Sequence, residues 1–214
     1  MFVSEWMTRK VFSVKPDDSV SAVVRMIKEK SIKHIPVAEQ GKLKGIISDR
    51  DIKDYCPSKA TSLDMYELHY LLEKTSVREV MKTKVFTTAP DMPVEEAAMV
   101  LYDKNIGCLP VIESGKLAGI ISDRDIFRAL IDITGIRHRG HRIFITLEDR
   151  PGSIKDVADI IRKYDFTLQS ILTSYERAKE GHRDIVIRTK GSGNFKALKA
   201  ELEGTYAGVK ILKG

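Results

Sequence analysis

The octapeptide Gly-Ile-Ile-Ser-Asp-Arg-Asp-Ile occupies residues 45–52 and recurs unchanged at residues 119–126. Both copies belong to a longer repeat, because residues 7–52 align with residues 81–126 without a gap and share 23 of 46 positions. A repeat of this kind is one structural unit that buries its apolar face against its copy. The sequence therefore predicts two related units that pack with approximate two-fold symmetry and form two related clefts.

Length and composition indicate a globular protein. The chain has 214 residues, of which 43% are hydrophobic, and this is enough to bury one or two cores. No apolar stretch approaches the roughly 18 residues of a membrane-spanning helix, and Glu5 interrupts the stretch that a signal peptide would need. We therefore expect a cytoplasmic protein with no membrane segment. Cys56 and Cys108 form no C-x-x-C motif, so we expect free thiols and no metal site.

Positive and negative residues are interspersed along most of the chain. A net charge of +6 would permit a polyanionic partner. Only residues 137–142, Arg-His-Arg-Gly-His-Arg, form a concentrated basic run, and this run has neither interleaved aromatic residues nor a recognition-helix pattern. We interpret it as an exposed linker and expect no nucleic-acid partner.

Hydrophobic spacing predicts the same elements in each copy. Residues 20–27 have helical spacing, residues 32–37 and 43–48 are rich in branched side chains, and Gly41 lies between the latter two. This pattern predicts a helix followed by a β-hairpin with a tight turn. The second copy repeats the pattern 74 residues later, as the octapeptides do.

The segments between and after the copies set the predicted domain boundaries. Pro57 should end a short helix, and residues 63–74 have the spacing of a connecting helix. A helix that follows the second octapeptide should stop at Gly135. The predicted domains are residues 1–60, residues 61–135 with the connecting helix, a linker at 136–141, and a final domain at 142–214.

The final domain has a different pattern. Alternating and helical spacings follow one another in the order strand, helix, strand, strand, helix, strand, which is the ferredoxin-like βαββαβ arrangement. We therefore expect an α/β (α+β) protein in which a tandem repeat pair precedes a ferredoxin-like domain. Such a fold by itself says little about function.

The Ser-x-x-Asp element of each copy stands where a strand ends and a helix begins. One interpretation is a capping box, in which the serine and the acid satisfy the free N–H groups at the helix start. The other is a nucleotide site. A helix start attracts phosphate, the hydroxyl can bond to it, and the carboxylate can accept both hydroxyls of a ribose. The glycine three residues before each serine would let a ligand approach the backbone.

The unit of helix, hydrophobic-Pro-Val strand, glycine turn and G-I-I-S-D-R-D-I resembles the CBS domain. Two copies resemble the CBS pair, or Bateman module, over nearly all of residues 1–135. The resemblance implies that adenine nucleotides bind in the clefts. It places phosphate and ribose near Ser48, Asp51, Ser122 and Asp125, and adenine near Ser13, Ile35, Pro36, Thr87, Leu109 and Pro110.

The two copies differ beside the predicted clefts. Lys33 and His34 in the first copy correspond to a glycine and Cys108 in the second, so we expect only the first cleft to have a basic edge. The alternative is that His34 and Cys108 merely fill space between packed helices. Arg50 and Arg124 could face either phosphate or solvent. These five residues complete the candidate nucleotide-binding set.

The final domain resembles an ACT domain. Its first strand-to-helix turn is similar to the D-x-P-G-x-hydrophobic loop of that family, and it consists of Asp149, Arg150, Pro151, Gly152 and Ser153. The resemblance implies that two ACT domains pair with this loop at their interface, which predicts a homodimer. In relatives the loop can hold a small molecule, often an amino acid. The alternative is a turn and a helix cap formed by Ser153.

Two CBS units followed by an ACT domain resemble the AcuB-like family of acetoin-utilization proteins, and a role in acetoin metabolism is implied by that resemblance alone. The sequence has no P-loop, no H-E-x-x-H and no G-x-S-x-G motif. We therefore expect no enzyme and no catalytic cofactor. The predicted function is a regulatory sensor that binds an adenine nucleotide and acts on an unidentified partner protein. The alternatives are a scaffold with unoccupied clefts, or amino-acid sensing through the ACT domain.

Overall fold

The computed structural model describes residues 1–56 and 65–213. The chain divides into two compact units, Met1–Phe127 and Arg128–Gly214. In the described ranges, no helix has the length and apolar character needed to cross a membrane. The helix end predicted at Pro57 and the first residues of the predicted connecting helix lie outside the described residues.

The first copy of the repeat contains three helices and a hairpin. These elements are α1 (Val3–Trp6), α2 (Val20–Lys30), β1 (His34–Glu39), β2 (Lys42–Ser48) and α3 (Asp49–Tyr55). The strands pair antiparallel, with Ile35 opposite Ile47. The turn residues Gln40 and Gly41 have φ values of 50° and 78°, as a two-residue type I′ turn requires. Glycine is suited to this turn because it adopts positive φ without strain.

The second copy repeats this arrangement after a connecting helix. The connecting helix is α4 (Met65–Lys74), and the elements of the second copy are α5 (Val77–Val80), α6 (Val94–Asp103), β3 (Cys108–Glu113), β4 (Lys116–Ser122) and α7 (Asp123–Ile133). Leu109 lies opposite Ile121, which is the same register as in the first hairpin. The two hairpins also share a register shift at equivalent positions.

The leading segment of each copy, which is residues 1–12 in the first and residues 75–86 in the second, pairs with the hairpin of the other copy. The backbone of Lys82 exchanges hydrogen bonds of 2.8 and 2.9 Å with Ile46 of β2, and that of Thr8 exchanges bonds of 2.9 and 3.0 Å with Ile120 of β4. Each folded half therefore combines the hairpin of one copy with the leading segment of the other.

The two hydrophobic cores show the same exchange. Val77, from the leading segment of the second copy, is fully buried in the core of the first hairpin. Val3 and Met7, from the start of the chain, are buried in the core of the second hairpin. Each core is thus completed by residues that the sequence assigns to the other repeat.

Gly45 and Gly119 make this exchange possible. A Cβ atom at Gly45 would lie 2.8 Å from the main-chain oxygen of Lys82, and one at Gly119 would lie 2.6 Å from Sδ of Met7. The expectation that these glycines admit a ligand to the backbone is wrong, because they admit the other copy's chain instead.

The second unit is a four-stranded antiparallel sheet with two helices. Its strands and helices are β5 (His141–Glu148), α8 (Ser153–Lys163), β6 (Thr167–Ser174), β7 (His182–Lys190), α9 (Phe195–Thr205) and β8 (Lys210–Lys213). The spatial order β6-β7-β5-β8 is that of a ferredoxin-like βαββαβ fold, which confirms the predicted fold class. β5 begins at His141, so His141 and Arg142 of the basic run belong to a strand and not to a linker.

Candidate functional site

The first cleft is a cavity of about 740 Å³ beside the start of α3. Ser48 and Asp51 lie on its wall, and the leading segment of the second copy contributes Lys82, Lys84 and Phe86. A cavity of this size can hold a nucleotide-sized ligand, because small-molecule sites in proteins span roughly 300–1,000 Å³.

Ser48 and Asp51 form a capping box at the start of α3. The Ser48 N–H donates to Oδ2 of Asp51 at 2.9 Å, and the Asp51 N–H donates to Oγ of Ser48 at 3.2 Å. The Ser48 hydroxyl also donates to the same carboxylate oxygen, at 2.5 Å. The capping interpretation of the motif is therefore confirmed for this copy, and Oδ2 is fully engaged within it.

The other oxygen of Asp51 is held by a lysine from the second copy. Nζ of Lys82 lies 2.8 Å from Oδ1 of Asp51, whose side chain is 7% exposed while that of Lys82 is 66% exposed. Burial alone would raise the pKa of Asp51, but hydrogen bonds from Lys82 and Ser48 lower it below the ordinary value. Asp51 is consequently an ionised carboxylate at neutral pH, and it is paired with the largely exposed side chain of Lys82.

The second cleft is a cavity of about 500 Å³ beside the start of α7. Ser122 and Asp125 lie on its wall, and the leading segment of the first copy contributes Thr8, Lys10 and Phe12. The Ser122 N–H and hydroxyl donate to Oδ2 of Asp125 at 3.0 and 2.7 Å. These two bonds repeat those that Ser48 donates to Asp51 in the first cleft. Thr8 stands at the repeat position of Lys82.

Lys33, His34, Cys108 and Asp123 line both clefts. The expectation that only the first cleft has a basic edge is therefore wrong. The physical reason is that Lys33 and His34, at the start of β1, line both cavities. Lys10 on the exchanged leading segment brings a further cation to the second cleft.

His34 and Cys108 pack tightly at this shared wall. A Cβ at Gly107 would lie 2.6 Å from Cε1 of His34, so the glycine leaves room for the imidazole. Burial lowers the pKa of His34 in spite of the nearby carboxylates of Asp123 and Asp49. Burial also raises the pKa of Cys108 to about 12. Both side chains are therefore neutral at pH 7. Both pack in the wall between neighbouring elements and also line the clefts.

The candidate residues divide into those that line a cleft and those that do not. Arg50 lines the first cleft and Arg124 the second. Ile35 and Leu109 are completely buried in the two cores. The candidates outside both cavity linings are Ser13, Ile35, Pro36, Thr87, Leu109 and Pro110.

The residues of the leading segments that line the clefts were not predicted from the sequence. Lys10 and Phe12 of the first copy are identical to Lys84 and Phe86 of the second. These shared residues, in a stretch with no helical or strand spacing, could have indicated a common function. The sequence could not show which cleft they line, because the exchange of leading segments leaves no local pattern.

A third cavity, of about 470 Å³, adjoins the loop Asp149–Ser153 in the second unit. Gly152, with φ of 87°, is the residue before α8, and Ser153 is the first residue of the helix. The alternative interpretation of this loop, in which Ser153 caps the helix, is wrong for the cap, because the cap position is Gly152 and no side chain caps it. The Ser153 hydroxyl instead accepts a 2.7 Å hydrogen bond from Arg183, whose Nε lies 3.6 Å from Oδ1 of Asp149.

Comparisons with known proteins agree with the fold of the repeat pair. The chain is 32% identical over 124 residues to the CBS domain-containing protein YhcV of Bacillus subtilis, covering 58% of this chain and 81% of that protein. It superimposes on an acetoin utilization protein, AcuB, from Vibrio cholerae with a TM-score of 0.54 and 28% identity, over 64% of this chain and 95% of that one. It also superimposes on CBSX2 in complex with AMP with a TM-score of 0.52 and 28% identity, over 62% of this chain and 97% of that one.

The family model of the CBS domain matches residues 3–58 and 77–132. These ranges cover more than half of the chain and contain every residue that lines the two clefts. The chain belongs to the CBS domain family.

Proposed function

We propose that this protein is a non-catalytic regulatory sensor that binds an adenine nucleotide, or another adenosyl ligand, in its CBS clefts. The observation that carries the proposal is the duplicated Ser-x-x-Asp helix start on the wall of a cavity. Each start presents helix N–H groups for a phosphate and an acid that can accept hydrogen bonds from a ribose. The likeness to CBSX2, which was solved in complex with AMP, supports adenosine as the ligand class.

The charges of the clefts also support an anionic ligand. Lys82 and Lys84 line the first cleft, Lys10 lines the second, and Lys33 lines both. Phe86 and Phe12 give each cavity an aromatic face that suits a purine ring. A phosphate, a sugar diol and a base thus each have a matching group.

We further propose that the second unit is an ACT domain that pairs with that of another copy, so that the protein is a homodimer and nucleotide binding is relayed to the ACT pair or to a partner protein. The βαββαβ topology and the loop before α8, which is exposed at residues 149–152, support this assignment. The likeness to AcuB supports a link to acetoin utilization. Such regulation requires a ligand with different affinities for two states of the protein.

Two other functions each have one observation in their favour. Asp51 is already bonded to Ser48 and Lys82, which would suit a scaffold whose clefts stay unoccupied. Arg183 beside the cavity at the start of α8 would suit an amino acid bound by the ACT domain.

Thermal unfolding followed by tryptophan fluorescence tests the sensor proposal. The chain has one tryptophan, Trp6 of α1, which packs against the core of the second hairpin, so the signal reports on the unit that contains both clefts. AMP, ADP or ATP at about 100 times its Kd should add roughly 2.7 kcal/mol of stability, which is several degrees in Tm. GMP and CMP at the same concentration are the matched controls. No shift with any adenine compound at millimolar concentration would favour the scaffold.

A further inference from the structure

Two arginines lie side by side on the face of the second unit's sheet that is opposite its core. Arg142 of β5 is directly opposite Arg188 of β7, and Arg188 is also opposite Ser170 of β6. Their sequence neighbours Ile143 and Ile187 are fully buried in the hydrophobic core, so the arginines point to the other face. Like charges directly opposite on a sheet are destabilising, and this pair therefore requires a compensating interaction.

Hydrogen bonds to the main chain offset the cost of burying the positive charge of Arg188 only in part. The residue is 3% exposed, and its Nε and Nη1 each donate a 3.2 Å hydrogen bond, to the carbonyl oxygens of Thr134 and His138. Burial and the charge of Arg142 lower its pKa. Over residues 1–56 and 65–213, no carboxylate pairs with either arginine. A buried cation without an opposite charge is costly.

A cavity of about 170 Å³ lies against these arginines. The next row of the sheet supplies an apolar wall, since Phe144 and Leu172 both pair with Val186, and Ile136 adds to it. No acidic residue lines this cavity. One side is therefore cationic and the other apolar.

We propose that this cavity, the arginine pocket, binds a small aliphatic carboxylate. Guanidinium groups match the two oxygens of a carboxylate, and the apolar row covers a short alkyl chain. An α-amino acid fits less well, because its ammonium group would find no carboxylate in the lining. Inorganic phosphate would leave the apolar wall without a partner.

The size of the arginine pocket limits the ligand. It is smaller than the roughly 300 Å³ at which sites for drug-sized molecules begin, so an acid of about four to six carbons is the upper range. All residues that line the pocket lie between Thr134 and Arg188, within the second unit. The proposal is consequently independent of nucleotide binding in the CBS clefts.

Ligand-detected NMR titration of the full chain at constant ionic strength tests the proposal. The probe is isovalerate, with isovaleramide as its uncharged isostere and valine as the same acid carrying an ammonium group. We expect isovalerate to bind about tenfold more tightly than isovaleramide, because hydrogen bonds between charged groups are the stronger ones. We also expect it to bind more tightly than valine.

Arg142→Gln is the primary variant, because it removes one cation and leaves both main-chain bonds of Arg188 in place. It should weaken isovalerate binding about tenfold. Arg177→Gln removes the same charge from an exposed position outside the pocket and should leave the affinity unchanged. Arg188→Lys, which keeps the charge but cannot form the same fork of bonds, should weaken binding as well. Circular dichroism confirms that each variant is folded.

Four results would overturn the proposal. The first is equal affinity for isovalerate and isovaleramide, and the second is an Arg142→Gln variant that binds isovalerate normally. The third is binding of inorganic phosphate that depends on Arg142 while isovalerate does not bind, which would indicate a phosphate site. The fourth is loss of self-association in Arg142→Gln by sedimentation without any isovalerate binding to the native chain, which would show that the carboxylate comes from a second copy.

Discussion

The carboxylate of Asp51 bonds to Ser48 and Lys82 in the structure, and we propose that it also binds a ribose. Its Oδ2 completes the cap of α3 with Ser48, and its Oδ1 faces Lys82. The cap could be predicted because Ser-x-x-Asp is a local motif whose partners are three residues apart. The contact with Lys82 could not, because it depends on which hairpin the leading segment of the second copy joins. A ribose diol in the first cleft would have to share or replace that contact.

Asp51→Asn should lower the stability of the first unit by about 1 kcal/mol at pH 7, the typical effect of losing a helix cap. Because hydrogen bonds lower the pKa of Asp51 below its ordinary value of 3.8, the carboxylate stabilises the fold above pH 3.8. This stabilisation is lost as the pH falls through the lowered pKa of the folded state. The difference between native protein and variant should therefore be full at pH 5–7 and shrink below pH 3.8.

Urea unfolding followed by Trp6 fluorescence at several pH values measures this difference. Asp91→Asn is the control, since Asp91 is exposed and lines neither cleft. A difference that stays constant down to pH 2 would mean that the charge of Asp51 contributes nothing to the fold.

The helices and hairpins of the first unit are held together by two exchanged leading segments, which complete its two cores. Hydrophobic spacing predicted the helices and both hairpins, because those patterns are local. It could not predict the exchange, since the two copies offer nearly the same apolar positions and either hairpin could accept either segment. The role of Gly45 and Gly119 was misread for the same reason. Each touches a chain that is distant in sequence.

Gly45→Ala should destabilise the first unit more than Gly119→Ala does. The added Cβ would lie 2.8 Å from a main-chain oxygen at Gly45, whereas at Gly119 its closest contact is the flexible side chain of Met7. We expect about 1–3 kcal/mol for Gly45→Ala, the usual cost of overpacking. Urea unfolding measures the effect.

Gly204→Ala is the matched control for these glycine variants. Gly204 lies in α9, and a Cβ there would meet no atom within 4 Å. An alanine in a helix is typically favoured over glycine by about 0.5–1 kcal/mol, so this variant should be neutral or stabilising. Equal stability of the Gly45→Ala variant and the native chain would contradict the close approach of the exchanged segment.

In the whole molecule, the sequence predicted three domains and two clefts. The structure adds which charged residues line each cleft and which lie together in the second unit. The predicted asymmetry failed because Lys33 and His34 line both cavities. One difference between the clefts is Lys82 in the first against Thr8 in the second. The arginine pair of the second unit was likewise invisible, because only the strand pairing brings Arg142 and Arg188 together.

Calorimetric titration with AMP tests whether Asp51 and Asp125 bind a nucleotide. The titrated proteins are the native chain, Asp51→Asn, Asp125→Asn and the double variant. We predict that native protein binds AMP and that each single variant loses about ten- to a hundredfold in affinity at its own cleft, the effect of losing a charge-assisted hydrogen bond. The folded double variant should show no measurable binding, while the Asp91→Asn control binds as the native chain does. Unchanged AMP affinity in the folded double variant would contradict the account, because the two carboxylates would then be helix caps without a part in ligand binding.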